Sequence, residues 1–297
     1  MLAQSFANTE EALLASRSRR TGRGASLALA FPGLFWLVTF FLLPLLFVLV
    51  SSFFTRGTGG VPVPPVTLDN YLRTFDVFWP VIWRTLYFSL FTTLLCLLLG
   101  FPVAFFISTR KDPRTRQLLL FLILLPFWTN FLVRTYALQT ILGREGPVNA
   151  LLLNLGVLQE PLSLLNTPFA VTLGLVYGFV PFMVLPIYAA VERLDFRFVE
   201  AAGDLGANDL QTFWRVVLPL TLPGIVAGSM LVFIPAIGAF VTPDLLGGTR
   251  GLMIGNLIQG QFRGRGNIPL GSAISVVLMV IVLAGLLVYT RFGERRD

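Results

Sequence analysis

Six stretches of this 297-residue chain run for at least 17 residues without a single Asp, Glu, Lys or Arg: 24–55, 85–109, 117–133, 161–191, 216–243 and 266–290. The third continues past Arg134 through residues 135–142. About 20 mostly apolar residues in a helix cross about 30 Å of hydrocarbon. Lipid offers no partner to a free N–H or C=O, so each crossing segment must satisfy its own backbone as a helix. The alternation of a membrane barrel is absent from these continuous apolar runs. The expected fold class is therefore all-α integral membrane. Six transmembrane helices are expected at about 27–50, 85–109, 117–142, 168–191, 218–242 and 271–290. Composition agrees, with 12% charged residues against about 25% in a soluble domain.

The basic residues give an orientation. Residues 27–50 are too long for the apolar core of a secretory leader, about 7–15 residues. They follow Arg17, Arg19, Arg20 and Arg23, the pattern of an uncleaved first span with its N-terminus in the cytoplasm. Both ends are then inside, as tails of 1–26 and 292–297. The inside segments are the first tail, 108–116, 192–215 and the end after Thr290, and they hold 14 of the 22 Lys and Arg. Basic residues gather on cytoplasmic loops, so the net charge of +7 reads as membrane topology. No basic patch is interleaved with stacking aromatics outside the spans, which argues against a nucleic-acid partner.

Several chemistries are excluded by residue type. There is no histidine, and the single cysteine, Cys96, lies in the second span. A Cys/His zinc site, a Ser-His-Asp triad and a Cys-His pair are all out of reach. No metal, no cofactor and no catalytic residue is expected. The only lysine, Lys111, follows Arg110, so the Gly-Lys pair of a phosphate-binding loop is absent. Any ATP hydrolysis must fall to another subunit.

Prolines punctuate the spans at 32, 44, 102, 126, 181, 186, 223 and 235. Each removes a helical hydrogen bond, and together they suggest a bundle that changes shape. The outside segments are 56–84, 143–160 and 244–265. In the first, residues 68–78 read as a surface helix. In the third, Gly247, Gly248 and Gly251 read as a tight turn.

The inside segment 196–217 differs from the other loops. Phe198, Ala201, Ala202 and Leu205, then Leu210, Phe213, Trp214 and Val217, fall at helical spacing. Gly206 separates two short helical pieces. A purely interfacial helix would be basic on its polar face, whereas this one carries Glu200, Asp204 and Asp209. The segment reads Glu200-Ala201-Ala202, three residues, Gly206, nine residues, Val216, one residue, Leu218-Pro219. It resembles, spacing for spacing, the E-A-A motif of permease subunits in binding-protein-dependent ATP-binding-cassette importers. The resemblance implies a type I importer permease and makes this segment the coupling helix that docks on the ATPase. The physical reasons are plain. Two alanines let a short helix seat closely in a partner's groove. Glu200 offers a carboxylate to basic partner groups. Gly206 permits a turn at positive φ, and Pro219 is expected to start the next span, where a missing N–H is harmless.

From about Trp83 onward the chain is similar to the spermidine/putrescine permeases of that family. The residues that carry this are 125–130 (LPFWTN) with 133–136 (VRTY), and 174–177 (GLVY) with 181–183 (PFM). Further matches are 241–248 (VTPDLLGG), 254–258 (IGNLI) with 261–262 (QF), and 271–273 (GSA). One departure is Ile268 before Pro269, where the pattern has an aromatic. The implied partners are an ATP-binding cassette ATPase dimer, a second homologous permease, a solute-binding protein and membrane lipid.

A polyamine in transit needs carboxylates or aromatic faces in place of water. The candidates are Trp128, Tyr136, Tyr177 and Asp244. Each has a plainer reading: bundle packing for Trp128, interfacial placement for the tyrosines, and a cap of the following turn for Asp244. Arg134 is the conspicuous charge inside a span. It would repel a cation, so it is expected to snorkel or to tie helices together, with Glu145 or a partner's carboxylate. Two alternatives stay open: a permease of this family for an amino acid or related solute, and an ion-driven secondary transporter. The second favours acidic residues within spans, and none lies in the six stretches.

Overall fold

A computed structural model describes residues 30–293; the N-terminal basic tail and residues 294–297 lie outside them. The chain opens with α1 (Ala30–Ser51). An antiparallel hairpin follows, β1 (Phe54–Arg56) with β2 (Pro62–Val66), in which Arg56 faces Pro62 and Thr55 faces Val63. Next come α2 (Asp69–Ser108), α3 (Pro113–Leu124), α4 (Phe131–Leu142), α5 (Pro147–Asn154) and α6 (Pro168–Glu192). The second half holds α7 (Arg197–Asp204), α8 (Asp209–Ile237), α9 (Val241–Leu246), α10 (Ile254–Phe262) and α11 (Ile268–Gly293). Helices α1, α2, α6, α8 and α11 are long and apolar enough to cross a membrane. A sixth crossing is supplied if the pair Pro113–Trp128 and Phe131–Asn154, bent by 90°, counts as one span.

The centre is α6, packed along α2 and α8, which also touch each other. Phe88, Cys96 and Ala104 of α2 meet Leu175, Met183 and Ile187 of α6 and Val232 and Ala236 of α8 in one buried core. Small residues bring the helices close, as expected where lipid supplies no hydrophobic drive between spans. Met183 is fully buried between Gly100 of α2 and Gly228 of α8. A Cβ on Gly228 would stand 2.9 Å from the Met183 sulfur and 3.1 Å from its carbonyl oxygen. At the rim, α1 leans on α11 and leaves Phe31, Phe35, Trp36, Phe40 and Phe41 exposed for lipid.

Buried amides hold the outer segments. Asn70 donates to the carbonyls of Ser52 (3.0 Å) and Phe54 (2.8 Å), fixing the hairpin to the start of α2. Asn149 donates to Gly143 and Leu162 carbonyls, both at 3.0 Å. Asn256 donates to the Phe240 carbonyl at 2.7 Å. Just after the C-terminal end of α2, Asp112 caps α3. Its oxygens accept from the Thr115 hydroxyl (2.6 Å), the Thr115 N–H (3.0 Å) and the Arg114 N–H (3.2 Å). These bonds, the Thr115 hydroxyl first, hold its carboxyl below the usual carboxylate range.

Three expectations change. Residues 68–78 are no separate surface helix: they continue into α2, whose 40 residues make a rod about 60 Å long at 1.5 Å per residue. The third stretch is not one straight helix, as described below. Pro219 does not start a helix either, because α8 already runs from Asp209. The helix tolerates this proline by widening just before it: Phe213–Val217 form a π turn, with the Leu218 N–H bonded to the Phe213 carbonyl. An identical device precedes Pro44, where Val38–Leu42 form a π turn closed by the Leu43 N–H on the Val38 carbonyl. A proline ring collides with the carbonyl four residues back, and a π turn moves that carbonyl away.

Candidate functional site

The segment between α6 and α8 is anchored by Leu194 and Phe196 on the bundle and leaves most of its other side chains exposed. The Asp195 carboxylate accepts from the Arg197 N–H at 3.0 Å and opens α7. The helix ends in a closed turn: Ala207 N–H bonds the Ala202 carbonyl (3.0 Å) and Gly206 N–H bonds the Gly203 carbonyl (2.9 Å). Such a turn places one residue in the left-handed region, and Gly206 occupies it at φ 83. Two residues on, Asn208 and Gln211 cap the start of α8 reciprocally, at 2.8 and 3.2 Å. Glu200, Ala201 and Gly206 are exposed, Ala202 is half-buried, Val216 and Leu218 are half-buried in and after the π turn, and Pro219 is exposed. Around them Phe198, Leu205, Leu210 and Trp214 lie open, Leu205 at 89%. The segment thus presents a carboxylate, two alanines and Phe198 on α7, with Leu205 just after it and Leu210 and Trp214 on the start of α8, all four large side chains uncovered.

Beneath it, a cavity of about 530 Å³ lies between the end of α6, the start of α7 and the middle of α8, lined in part by Ala190, Arg193, Phe198, Pro223 and Gly224. Close by, Arg116 of α3 pairs with Glu192 at the end of α6 at 3.0 Å.

The second unusual place lies inside the membrane region. After α3 a 3-10 turn, Leu125–Trp128, leads into two extended residues, Thr129 and Asn130. The Thr129 hydroxyl donates to the Pro126 carbonyl at 2.7 Å, and the Asn130 side chain accepts from the Leu132 N–H at 2.8 Å. Both sides of the 90° bend are thus capped and the break is a made structure. Trp128, Thr129 and Asn130 are all exposed, Trp128 at 82%. Irregular backbone at membrane depth is tolerated inside protein or along a water-filled cavity.

Directly after it sits Arg134. Its guanidinium carbon lies 5.4 Å from the Phe127 ring centre, 5.6 Å from Phe131 and 5.9 Å from Tyr177. No ion pair joins it to Glu145 among the described residues. Tyr177 is nine residues into α6 from Pro168, which puts it about 13 Å along that helix from its N-terminal end. Of the four pathway candidates, Trp128 and Tyr177 therefore flank the break, Tyr177 through Arg134. Tyr136 is exposed but follows Arg134 by two residues, about 200° round the helix. Asp244 is exposed in the first turn of α9. It is not the cap of that turn, since its carboxylate accepts no hydrogen bond among the described residues. Sequence reasoning missed Phe127 and Phe131; with Arg134 they stand at i, i+4 and i+7, a spacing that marks one helical face, here folded round a bend.

A family model for the binding-protein-dependent transport system inner membrane component matches residues 97–296. The chain is 48% identical over 260 residues to the spermidine/putrescine transport system permease protein PotB of Haemophilus influenzae, covering 87% of this chain and 91% of that protein. Against PotB of Escherichia coli K12 it is 46% identical over 257 residues, covering 86% and 93%. The inner membrane ABC transporter permease protein YdcU of Escherichia coli is 33% identical, with 92% and 90% covered. Among solved structures, a chain of a bacterial ABC transporter that imports alginate superposes with a TM-score of 0.76 at 18% identity, covering 94% of this chain and 98% of that one. At that identity the likeness speaks for the fold.

Proposed function

The chain belongs to the family of binding-protein-dependent transport system inner membrane components, and on that premise we propose that it is one of two permease subunits of an ATP-driven polyamine importer. The observation that carries the substrate is identity of 46–48% over nearly nine-tenths of the chain to permeases named for spermidine and putrescine. The family is one of transporters and not of enzymes, and membership sets aside an ion-driven secondary transporter.

The parts fall into roles. Residues 27–291 form the permease domain between two cytoplasmic tails. The segment 196–217, with Glu200, Ala201, Ala202, Gly206, Val216, Leu218 and Pro219, is the coupling element. Its uncovered apolar side chains and Glu200 meet the ATPase, which carries the nucleotide chemistry this chain lacks. Closure of the ATPase pair on ATP moves α7. Because α8 runs without interruption from the coupling loop into the membrane, the movement enters the span directly. A nucleotide shifts such a two-state bundle by its differential affinity for the two states. The capped break at Thr129–Asn130 faces the pathway side, where Trp128 offers a ring face to a passing ammonium; Tyr136, Tyr177 and Asp244 are the remaining pathway residues.

The test is ligand-stimulated ATP hydrolysis by the reconstituted complex with its binding protein. Spermidine or putrescine is expected to stimulate. Stimulation by an amino acid or other neutral solute, with no response to either polyamine, overturns the substrate and leaves the importer standing.

A further inference from the structure

Arg134 presents a problem that this chain does not solve. Its Nε and Nη1 are fully buried with no hydrogen-bond partner among the described residues. Its neighbours are the rings of Phe127, Phe131 and Tyr177. Arginine does not shed its proton at any ordinary pH, so the charge persists. Rings at 5.4–5.9 Å stabilise a cation but accept no strong hydrogen bond. Charges inside a membrane protein are characteristically paired. No described carboxylate lies within ion-pair distance of Arg134, so the counter-charge does not come from the described residues of this chain.

The position narrows the source. Tyr177, which Arg134 overlies, is nine residues along α6, about 13 Å from its N-terminal end, the outer end in the orientation expected from the basic residues. That depth is beyond a lipid phosphate and beyond a binding protein resting on the outer surface. A polyamine cargo bears the same sign as Arg134. What remains is a carboxylate on a span of another subunit. The adjoining surface fits, because Trp128, Thr129 and Asn130 are exposed at a break whose irregular backbone is tolerated inside protein.

We propose that Arg134 is one half of an intramembrane ion pair between subunits, received by an Asp or Glu carboxylate on a membrane span of the second permease, and that the aromatic cage pre-orients its guanidinium for that contact. The proposal rests on the two-permease reading above. It gives the break a second role: its exposed residues are shared between the pathway and the subunit interface, and the pair fixes the register of one permease on the other. Lysine has a compact, strongly hydrated head and lacks the planar fork, so it would replace Arg134 only in part.

The experiment uses the full importer, purified through a tag on this chain. Arg134→Glu is expected to reach the membrane in normal amount while co-purified second permease falls more than about a hundredfold, the lower end of the scale of an uncompensated buried charge. Arg134→Lys should retain part of it. In the Arg134→Glu background, an Asp→Arg or Glu→Arg change at one intramembrane carboxylate of the second permease should restore assembly. Independently, a photo-cross-linking residue at Asn130 in the otherwise unaltered complex should couple to the second permease. Wild-type recovery of the second permease with Arg134→Glu, or cross-links from position 130 only to lipid or binding protein, overturns the ion pair. If Arg134→Glu does not insert, the cross-link decides. Should the unaltered chain bring down neither a second permease nor an ATPase, the importer reading itself fails, and the ion pair with it.

Discussion

Replacing Gly206 isolates a backbone requirement from a packing one. Its φ is 83, and a Cβ added there would meet nothing within 4 Å. A larger residue therefore clashes with no neighbour, and what it loses is conformational. The left-handed region costs an ordinary L-residue roughly 1–2 kcal/mol, and a β-branched one more. One to two kcal/mol is a factor of about 5–30 in population. Gly206→Val should thus leave the closed turn after α7 populated at least 5–30-fold less relative to its alternatives. Gly206→Ala should be milder, and Gly206→Asn milder still, because asparagine visits this region. The internal control is Gly203, whose Cβ would also meet nothing within 4 Å but which lies in helical backbone. Gly203→Ala should be neutral or stabilising, by about 0.5–1 kcal/mol. The assay is ATPase co-purification and polyamine-stimulated hydrolysis, normalised to permease in the membrane. The expected order is Gly, Asn, Ala, Val. A valine variant with wild-type assembly and uptake would refute both the conformational argument and the role given to the loop.

The other expectations are briefer. Glu200→Lys sets a cation against a basic partner surface, where like-charge contact costs several kcal/mol; the ATPase should be lost from the purified complex while insertion is normal. Trp128→Ala should leave assembly intact and weaken polyamine-stimulated hydrolysis about 2–30-fold, the range of one cation–π contact; unchanged stimulation removes Trp128 from the pathway. Gly228→Val drives a branched side chain into the Met183 backbone and should cost about 1–3 kcal/mol, read as a lower melting temperature in detergent. Reporter fusions after Leu68, Asn154 and Asn256 should score external, and those after Arg114 and Asp209 internal; an external score at Asp209 would also sink the coupling assignment.

What the residues reveal in advance depends on how local the determinant is. Uncharged runs long enough for hydrocarbon are a one-dimensional signal, so α1, α2, α6, α8 and α11 can be placed by counting. Gly206 was likewise legible, since a positive φ between two short helical patterns demands glycine. The break after Trp128 was not. Its ingredients, Pro126, Thr129 and Asn130, are residues that membrane helices also tolerate without breaking, and the bend coincides with contacts to another helix, Phe131 against Gly178 and Phe127 against Phe182, that are not local in the sequence. Residues 68–78 misled for the opposite reason. Asp69, Arg73 and Asp76 look like the end of a hydrophobic segment, yet helical hydrogen bonding is indifferent to where lipid stops. Arg134 could be picked out as an odd charge, but its three rings come from both sides of a bend and from another helix, which no spacing rule connects.

The π turn at Phe213–Val217 gives α8 an unusual tolerance. A π turn holds one residue more than an α turn over nearly the same rise, so the segment stores a surplus residue between the coupling loop and the span. Losing one residue within 213–217 would let the turn relax to α and leave Asp209 upstream and Gly224, Gly228 and Val232 downstream in nearly their present phase. The same loss below Leu218 would swing every later packing residue by about 100° and take Gly228 off Met183. The distance between the docking loop and its membrane helix could therefore be re-engineered at that one turn without repacking the bundle.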